Sequence, residues 1–366
     1  ILGNVGRTGH VVGACATFLF NLQLGKESIE NGSARVVIVG GAEAPITPEI
    51  IDGFFAISAL SDDKHMLELQ SQLNEPSNKP NQRKACRPFG DNIGMVMGES
   101  AQFVILMDED LALELGAKIY ASVQAVASHA DGFKNSISGP GVGNYITLAK
   151  CAAEASQQLG SKSLKNETYV HAHGTGTPAN RTSESHILDE IAKVFGIKSW
   201  PVTAIKSYLG HSMAVAAGDQ LTCVLGTWNK GIIPRIHSIT ETAEDVFDDN
   251  LNFLTKDKVE DPNFYKGAFL NAKGFGGNNA SALILGPDFT FSQIKKRYTK
   301  KALKDYERKL ENTRKSVLEY NENASKGAYN TIYKFNHEVL EGMHDLEITK
   351  EKIKLKGYKK EINLKS

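Results

Sequence analysis

From Ile1 to about Pro287, short β-branched and apolar runs alternate with longer stretches whose apolar positions recur at helical spacing, as in a layered α/β domain. The short runs predict strands at Arg35–Val39 (RVVIV), Ala101–Met107 (AQFVILM), Thr168–His173 (TYVHAH), Val202–Lys206 (VTAIK), Ala268–Ala272 (AFLNA) and Ser281–Leu285 (SALIL). Helices are predicted over Ala16–Glu30, closed by Asn31-Gly32, over Tyr145–Leu159, closed by Gly160, and over Thr182–Phe195, closed by Gly196. A fourth, Ala214–Trp228 (AVAAGDQLTCVLGTW), is small or apolar on most faces and is expected to be buried among other elements.

The pattern breaks twice. Glu68–Ala85 (ELQSQLNEPSNKPNQRKA) is polar and rich in Pro and Asn, which predicts an exposed loop or insertion. At Pro287 the composition shifts to a Lys/Glu-rich helical segment reaching about Ser325. The final LEITKEKIKLKGYKKEINL alternates as a terminal hairpin would. The predicted organisation is therefore a domain over 1–287 and an extension over 288–366, with no internal repeat.

Charge sharpens that division. The whole chain is formally neutral, but Phe291–Ser366 holds 19 Lys and Arg against 11 Asp and Glu, leaving 23 against 31 in residues 1–290. A basic tail can bind an acidic partner, and it can equally be a solvated helical face. At 366 residues and 41% hydrophobic, the chain can bury a large core. No apolar run reaches the roughly 18 residues of a membrane span, and the N-terminus lacks the order of a signal peptide, so no membrane span and a cytoplasmic location are expected. Cys15, Cys86, Cys151 and Cys223 have neither zinc-site spacing nor the density of a disulfide framework, so no metal is expected and each is judged alone.

Four segments combine small residues with a reactive side chain, as expected where loops converge on a site. In Gly13-Ala14-Cys15-Ala16-Thr17 a cysteine opens an apolar helix. Positive dipole and unpaired N–H groups there favour thiolate and can hold an oxyanion. A small cysteine in a helix is more commonly core packing, and that reading stands for the other three. His173-Gly174-Thr175-Gly176-Thr177 follows a strand, with Glu184 beginning the next helix. Its glycines allow close approach of a substrate arm and its threonines supply hydroxyls. His171 and His186 lack that setting and read as structural or surface residues. Lys206-Ser207-Tyr208-Leu209-Gly210-His211-Ser212 puts a second histidine at a helix start near a lysine, where an ordinary capped βα loop is the competing reading. Asn271-Ala272-Lys273-Gly274-Phe275-Gly276-Gly277-Asn278-Asn279 is a glycine-rich turn between two strands. No helix follows it, so it does not read as a phosphate loop, and neither does Gly139-Pro140-Gly141-Val142-Gly143, which no apolar strand precedes.

In this order the four segments resemble the β-ketoacyl synthases of fatty-acid and polyketide assembly, whose nucleophile motif, HGTGT, Lys-Ser loop ending in Gly-His and NxxGFGGxN turn all occur across residues 13–279. Arg87-Pro88-Phe89, Gly98-Glu99 and Gly231–Pro234 agree. The resemblance implies a thiolase-like five-layer α-β-α-β-α fold of two similar halves, usually a homodimer. The family carries a long segment before its nucleophile, so the resemblance further implies that the N-terminal part of the first half lies outside these residues. The chain departs from the pattern at Phe89-Gly90-Asp91-Asn92, at Pro178-Ala179-Asn180-Arg181, and at Lys273, a commonly aromatic position.

Carried over by position, the resemblance implies Cys15 as the acylated nucleophile, His173 and His211 in decarboxylation and condensation, and Lys206 as the electrostatic control. Thr175 and Thr177 would contact the pantetheine arm, Phe275 would gate the site and give its N–H to the oxyanion, Gly276 and Asn279 would complete the substrate turn, and Glu184 would support the site. Two histidines mark the elongating class. The implied reaction joins an acyl group on Cys15 with malonyl-[acyl carrier protein], with no cofactor, acyl carrier protein as partner and no nucleic acid. The alternative is a non-condensing or chain-length subunit of a heterodimer, a role whose holders usually lack the cysteine.

Overall fold

The computed structural model describes residues 6–133, 141–328, 336 and 339–364. Two compact units divide the chain, one formed by Thr8–Thr313 and one by Ile1–Arg7 with Arg314–Ser366.

Within Thr8–Thr313 the strands are β1 (Val36–Glu43), β2 (Ser100–Met107), β3 (Ser122–Ala130), β4 (Thr168–His171), β5 (Trp200–Thr203), β6 (Ile232–Ile233), β7 (Leu251–Phe253), β8 (Lys258–Val259), β9 (Gly267–Gly274) and β10 (Asn278–Leu285). The helices are α1 (Thr17–Glu30), α2 (Pro48–Ala56), α3 (Asp63–Gln72), α4 (Glu109–Leu115), α5 (Val142–Asn166), α6 (Pro178–Phe195), α7 (Lys206–Leu209), α8 (Ala216–Lys230) and α9 (Pro287–Arg297). Helix α10 (Lys300–Ser325) begins in this unit and ends in the other.

The main sheet has six strands in the order β3-β10-β9-β4-β5-β7. Strands β9, β4, β5 and β7 run parallel, and β10 is antiparallel to both β9 and β3. Helices α5 and α6 cover one face, with Leu148, Ala152, Ile187, Leu188, Val170, Phe269 and Leu283 in one cluster. Helices α1 and α8 cover the other, joining Leu19, Leu22, Leu221 and Val224 to Tyr169, Leu270 and Ala282. They also meet β1 and β2, a separate antiparallel pair, so two helices lie between two sheets. The outer face of that pair is exposed, with Ile38 at 50% and Phe103 at 63%.

Local chemistry sets the ends of the helices. Pro48 and Pro178 sit in the first turns of α2 and α6, where no intrahelical N–H is needed. Asp62 and Asp108 accept the backbone N–H of His65 and Leu111 as N-caps, and Gly116, Gly196 and Gly231 close α4, α6 and α8 in the left-handed conformation. Helix α5 bends at Gly160 and runs on to Asn166, so the glycine expected to end it makes a kink instead.

Other expectations also shift. Helix α3, ten residues long, begins before the predicted Glu68–Ala85 loop and overlaps it, because the Asp62 cap starts a helix inside a polar stretch. Strand β5 ends at Thr203, and Lys206 opens the single turn of α7 rather than closing a strand. Glu184 lies in the second turn of α6, not at its start. Of the run from Gly139, residues 139–140 lie outside the described residues and Gly141 precedes α5.

Helix α9, at the composition shift, is pinned to α4 by Arg297 on Glu109 and by the Tyr298 hydroxyl donating to Asp110. In the unit containing Arg314–Ser366, β11 (Leu346–Ile348), β12 (Lys352–Leu355) and β13 (Ile362–Asn363) form a three-stranded antiparallel sheet, one strand more than the predicted hairpin. Among the described residues no helix is long and apolar enough to cross a membrane.

Candidate active site

Strands β4, β5 and β9 run parallel, so their C-terminal ends meet along one sheet edge, where the loops after them bring His173, Lys206, His211 and Phe275 together. The nucleophile reaches that edge from another direction. Residues Ala14–Ala16 form a 3-10 turn leading into α1, and the Thr17 hydroxyl, donating to Ala14 O at 2.7 Å and accepting Gly13 N–H at 2.9 Å, ties the turn together. Ala14 has φ of 49°, a left-handed conformation that a residue with a Cβ adopts at a cost of about 1 kcal/mol. Gly274 makes the meeting possible: a Cβ there would lie 2.3 Å from Gly13 O.

A cavity of about 440 Å³ opens at this junction, lined by Cys15, His173, His211, Thr175, Thr177, Phe275 and Asn279 together with Phe54, Met95, Asp131, Asn180 and Lys273. Seven of the ten residues singled out from the sequence are thus brought together. The other three act from outside its wall. Lys206 lies behind His173, Glu184 supports the same loop, and Gly276 shapes the β9–β10 turn with φ of 81°.

The two imidazoles stand edge to face, their ring centroids 5.3 Å apart at 87°. Lys206 Nζ donates to His173 O at 2.6 Å and lies 3.5 Å from His173 Nδ1. An ammonium only donates, so Nδ1 is the acceptor and Nε2 carries the proton. His211 reaches the same state by another route, its Nδ1 accepting the Met213 N–H at 3.2 Å. Its own backbone is held by Val96 O and Gly98 N. His211 Nε2 is buried with no hydrogen-bond partner among the described residues, a donor aimed at whatever enters. Burial first, then the Lys206 charge, holds both imidazoles well below the usual histidine range, so both are neutral at pH 7.

Burial likewise lowers the Lys206 ammonium from its ordinary value, while Glu184 and Cys15 pull it back up. Burial pushes the Cys15 thiol up, against Lys206 and the N–H groups of Phe275 and Cys15 itself, which lower it. This corrects the sequence expectation of a favoured thiolate: desolvation outweighs the helix start, and Cys15 rests as a thiol. Two N–H groups directed at one sulfur nevertheless make the pair that a tetrahedral oxyanion needs.

Glu184 is fully buried and accepts four donors: His173 N at 2.6 Å, Gly174 N at 2.8 Å, Asn180 Nδ2 at 2.9 Å and Asn271 Nδ2 at 2.7 Å. It therefore fixes the loop that presents His173. The Thr175 and Thr177 hydroxyls lie 2.9 Å apart. Phe275 has its ring centroid 6.0 Å from that of Phe54 on α2, and Asn278 Nδ2 holds its carbonyl.

Among the described residues, the remaining cysteines and histidines stay out of the cavity. Cys86 donates to Thr175 O and Cys151 to Ser281 O. Burial raises Cys86, Cys151 and Cys223 to about 12. His186 packs on Phe247 and bonds Tyr145, and His171 is buried inside β4. Sequence reasoning missed Asp131, whose carboxylate accepts Asn279 Nδ2 at 2.7 Å and Gly143 N at 3.1 Å. Nothing local distinguishes it. Phe54 was also missed, although Thr47-Pro48 is a helix-start signal.

The chain matches two family models, the β-ketoacyl synthase N-terminal domain over residues 1–112 and the β-ketoacyl synthase C-terminal domain over 120–240. It is 45% identical over 358 residues to the β-ketoacyl-[acyl-carrier-protein] synthase FabY of Pseudomonas aeruginosa, covering 98% of this chain and 55% of that protein. The crystal structure of that ketosynthase superposes with a TM-score of 0.94 at 44% identity, over 100% of this chain and 56% of the other. The 3-oxoacyl-[acyl-carrier-protein] synthase 2 of Staphylococcus aureus is 30% identical over 284 residues, 76% of this chain and 63% of that protein. The chain spans between 55% and 63% of the length of these relatives, and its layered α/β architecture is the thiolase-like ketosynthase fold.

Proposed function

We propose a decarboxylative carbon-carbon condensation for this chain, which belongs to the β-ketoacyl synthase family. An acyl group is loaded onto Cys15 from a carrier-protein thioester and joined to malonyl-[acyl carrier protein], giving β-ketoacyl-[acyl carrier protein], CO₂ and the free protein. The observation that carries this reading is a pair of buried imidazoles standing edge to face in one cavity with a buried cysteine, the Nδ1 of each facing a donor.

The chemistry follows from those groups. Cys15 Sγ attacks the acyl thioester carbonyl. As it attacks, its proton is transferred to the departing carrier sulfur, because both Nε2–H imidazoles present donors rather than lone pairs, leaving a Cys15 thioester and a free carrier thiol. Phe275 N–H and Cys15 N–H receive the oxyanion of this addition and of the later one. The malonyl thioester enters with its carbonyl oxygen between His173 and His211. As the bond to the carboxylate breaks, CO₂ leaves, the electron pair moves into the thioester enolate, and both Nε2–H groups donate to its oxygen. The α-carbon then attacks the Cys15 thioester carbonyl, the C–S bond breaks, and the Cys15 thiolate takes up one proton to return to the thiol. Lys206 keeps the histidines neutral and fixes the His173 tautomer, and no cofactor is required. Thr175 and Thr177 offer hydroxyls to the arm, Asn279 and Gly276 shape the turn, and a homodimer is the working assembly.

Intact-mass measurement after incubation with acyl-[acyl carrier protein], run beside malonyl-dependent CO₂ release and product formation, tests this. An acyl adduct on the protein that is absent from Cys15→Ala, with β-ketoacyl product on adding malonyl carrier, is the expected result. A protein that takes no acyl group and forms no product is a non-condensing subunit, and the reading fails.

A further inference from the structure

Besides Cys15 and the histidines, the described lining of the cavity includes one cation, Lys273, and one carboxylate, Asp131. Lys273 sits at the end of β9, two residues before Phe275, where the sequence pattern of the resembling family commonly has an aromatic ring. Its Nζ donates to Ser183 Oγ at 3.2 Å, and Ser183 adjoins the Glu184 that holds the His173 loop. The ammonium is thus tethered to the framework that positions His173, and its charge is felt at that imidazole.

The condensation proposed above, on which this inference rests, sets a discrimination problem. Both substrates arrive on the same arm through the same thioester, and they differ at the reacting end by one carboxylate. Neutral donors in the cavity can bond the malonyl carboxylate, but they give it no net charge attraction over a second acyl group. A cation near His173 does, because it gains energy from the carboxylate alone. It also offsets the like-charge repulsion that Asp131 would exert on an incoming anion. We infer that Lys273 is a specificity-determining residue that reads the carboxylate of the malonyl thioester and directs the extender to the histidine pair.

The arrangement suits a group that must be surrendered. The carboxylate loses its charge as CO₂ departs, so any stabilisation Lys273 gives it belongs to the bound ground state and adds nothing to the transition state. A dry, tight ion pair would retard the reaction. Lys273 is half-buried and shared with Ser183, which keeps the attraction modest.

The test is steady-state condensation with Lys273→Met and Lys273→Arg, alongside the rate of acyl loading on Cys15 by intact mass. The expected result for Lys273→Met is a malonyl-carrier KM raised about tenfold, the change that 1.4 kcal/mol of lost attraction produces, with kcat equal or higher. Acyl loading should stay within about twofold of wild type, and Lys273→Arg should restore the KM. An unchanged malonyl KM in an otherwise active variant overturns the inference alone. Equal losses in loading and condensation also overturn it, because they assign Lys273 a structural role. If the wild-type protein neither loads nor condenses, the condensation reading falls and takes this inference with it.

Discussion

The two sheets are written in similar residues and live in different surroundings. In β9 and β10 nearly every position is buried, because α5 and α6 cover one face and α1 and α8 the other. Strands β1 and β2 are apolar on both faces too. Val37, Val39, Val104 and Leu106 face the α1 and α8 cluster, whereas Val36, Ile38, Phe103 and Ile105 on the opposite face are exposed. A strand that places apolar residues on both sides is built to be covered on both sides. The chemistry is divided along the same line. His173, Lys206, His211 and Phe275 hang from the covered sheet, and Cys15 comes from the helix wedged between the two. The electrostatic half of the site thus stands on a closed core, and the nucleophile's helix leans partly on an open one.

Core truncation should separate the two sheets most sharply. Phe269 is fully buried in β9 with Trp200 edge-on at 5.0 Å, so Phe269→Ala should cost about 3–5 kcal/mol in denaturant unfolding. A loss under about 1 kcal/mol would mean that the covered sheet is no better packed than the open one.

Next in size is Glu184→Gln. Each carboxylate oxygen accepts two donors, so the amide NH2 that replaces one of them in Gln leaves two buried donors without their acceptor. About 2 kcal/mol of stability should be lost. Condensation should fall with it, since the His173 loop loses its anchor, while the Cys15 turn, anchored by Thr17, still accepts an acyl group. Equal loss of loading and condensation would show that the two halves of the site are not held independently.

What the sequence could and could not reveal follows the same division. Strands β1, β2, β9 and β10 announce themselves as apolar runs, and the four motif segments carry Cys15, His173, His211 and Phe275 to one edge. Strand β3 (SVQAVASHA) was not anticipated, because an edge strand pairing only with β10 tolerates Ser, Gln and His. Helices α2 and α4 escaped because nine and seven residues hold too few turns to establish a period. Asp131 gained its place from Asn279 and Gly143, contacts that no local pattern encodes. The state of Cys15 was misjudged for a related reason: a helix start is visible in sequence, and the depth at which it is buried is not.

His171 gives a smaller effect with a definite sign. It is fully buried, both ring nitrogens lack a partner among the described residues, and burial lowers it to about 3. Below the unfolded value near 6.5 the unfolded chain takes up a proton that the folded protein refuses. This contribution to stability is whole above pH 6.5 and is lost as pH falls toward 3. His173 and His211 act in the same direction. His171→Asn should therefore flatten the acid limb of a stability-against-pH curve by about one proton, so that relative to wild type it gains about 1 kcal/mol between pH 7.5 and pH 5.5. Parallel curves would mean that His171 is protonated or hydrated in the folded state.

The smallest expected change tests the open face itself. Phe103 is 63% exposed and its ring lies over Gly40 on the neighbouring strand, where a Cβ would come within 2.4 Å of it. Phe103→Ser therefore removes contact with one glycine and little else, and unfolding should change by less than about 1 kcal/mol. Its clearer consequence is colloidal. Ile38, Phe103 and Ile105 form a contiguous apolar patch, and a hydroxyl in its middle should lower concentration-dependent light scattering. A loss of several kcal/mol would mean that this face is covered in solution, and the contrast between the two sheets would then be one of assembly rather than of packing within the chain.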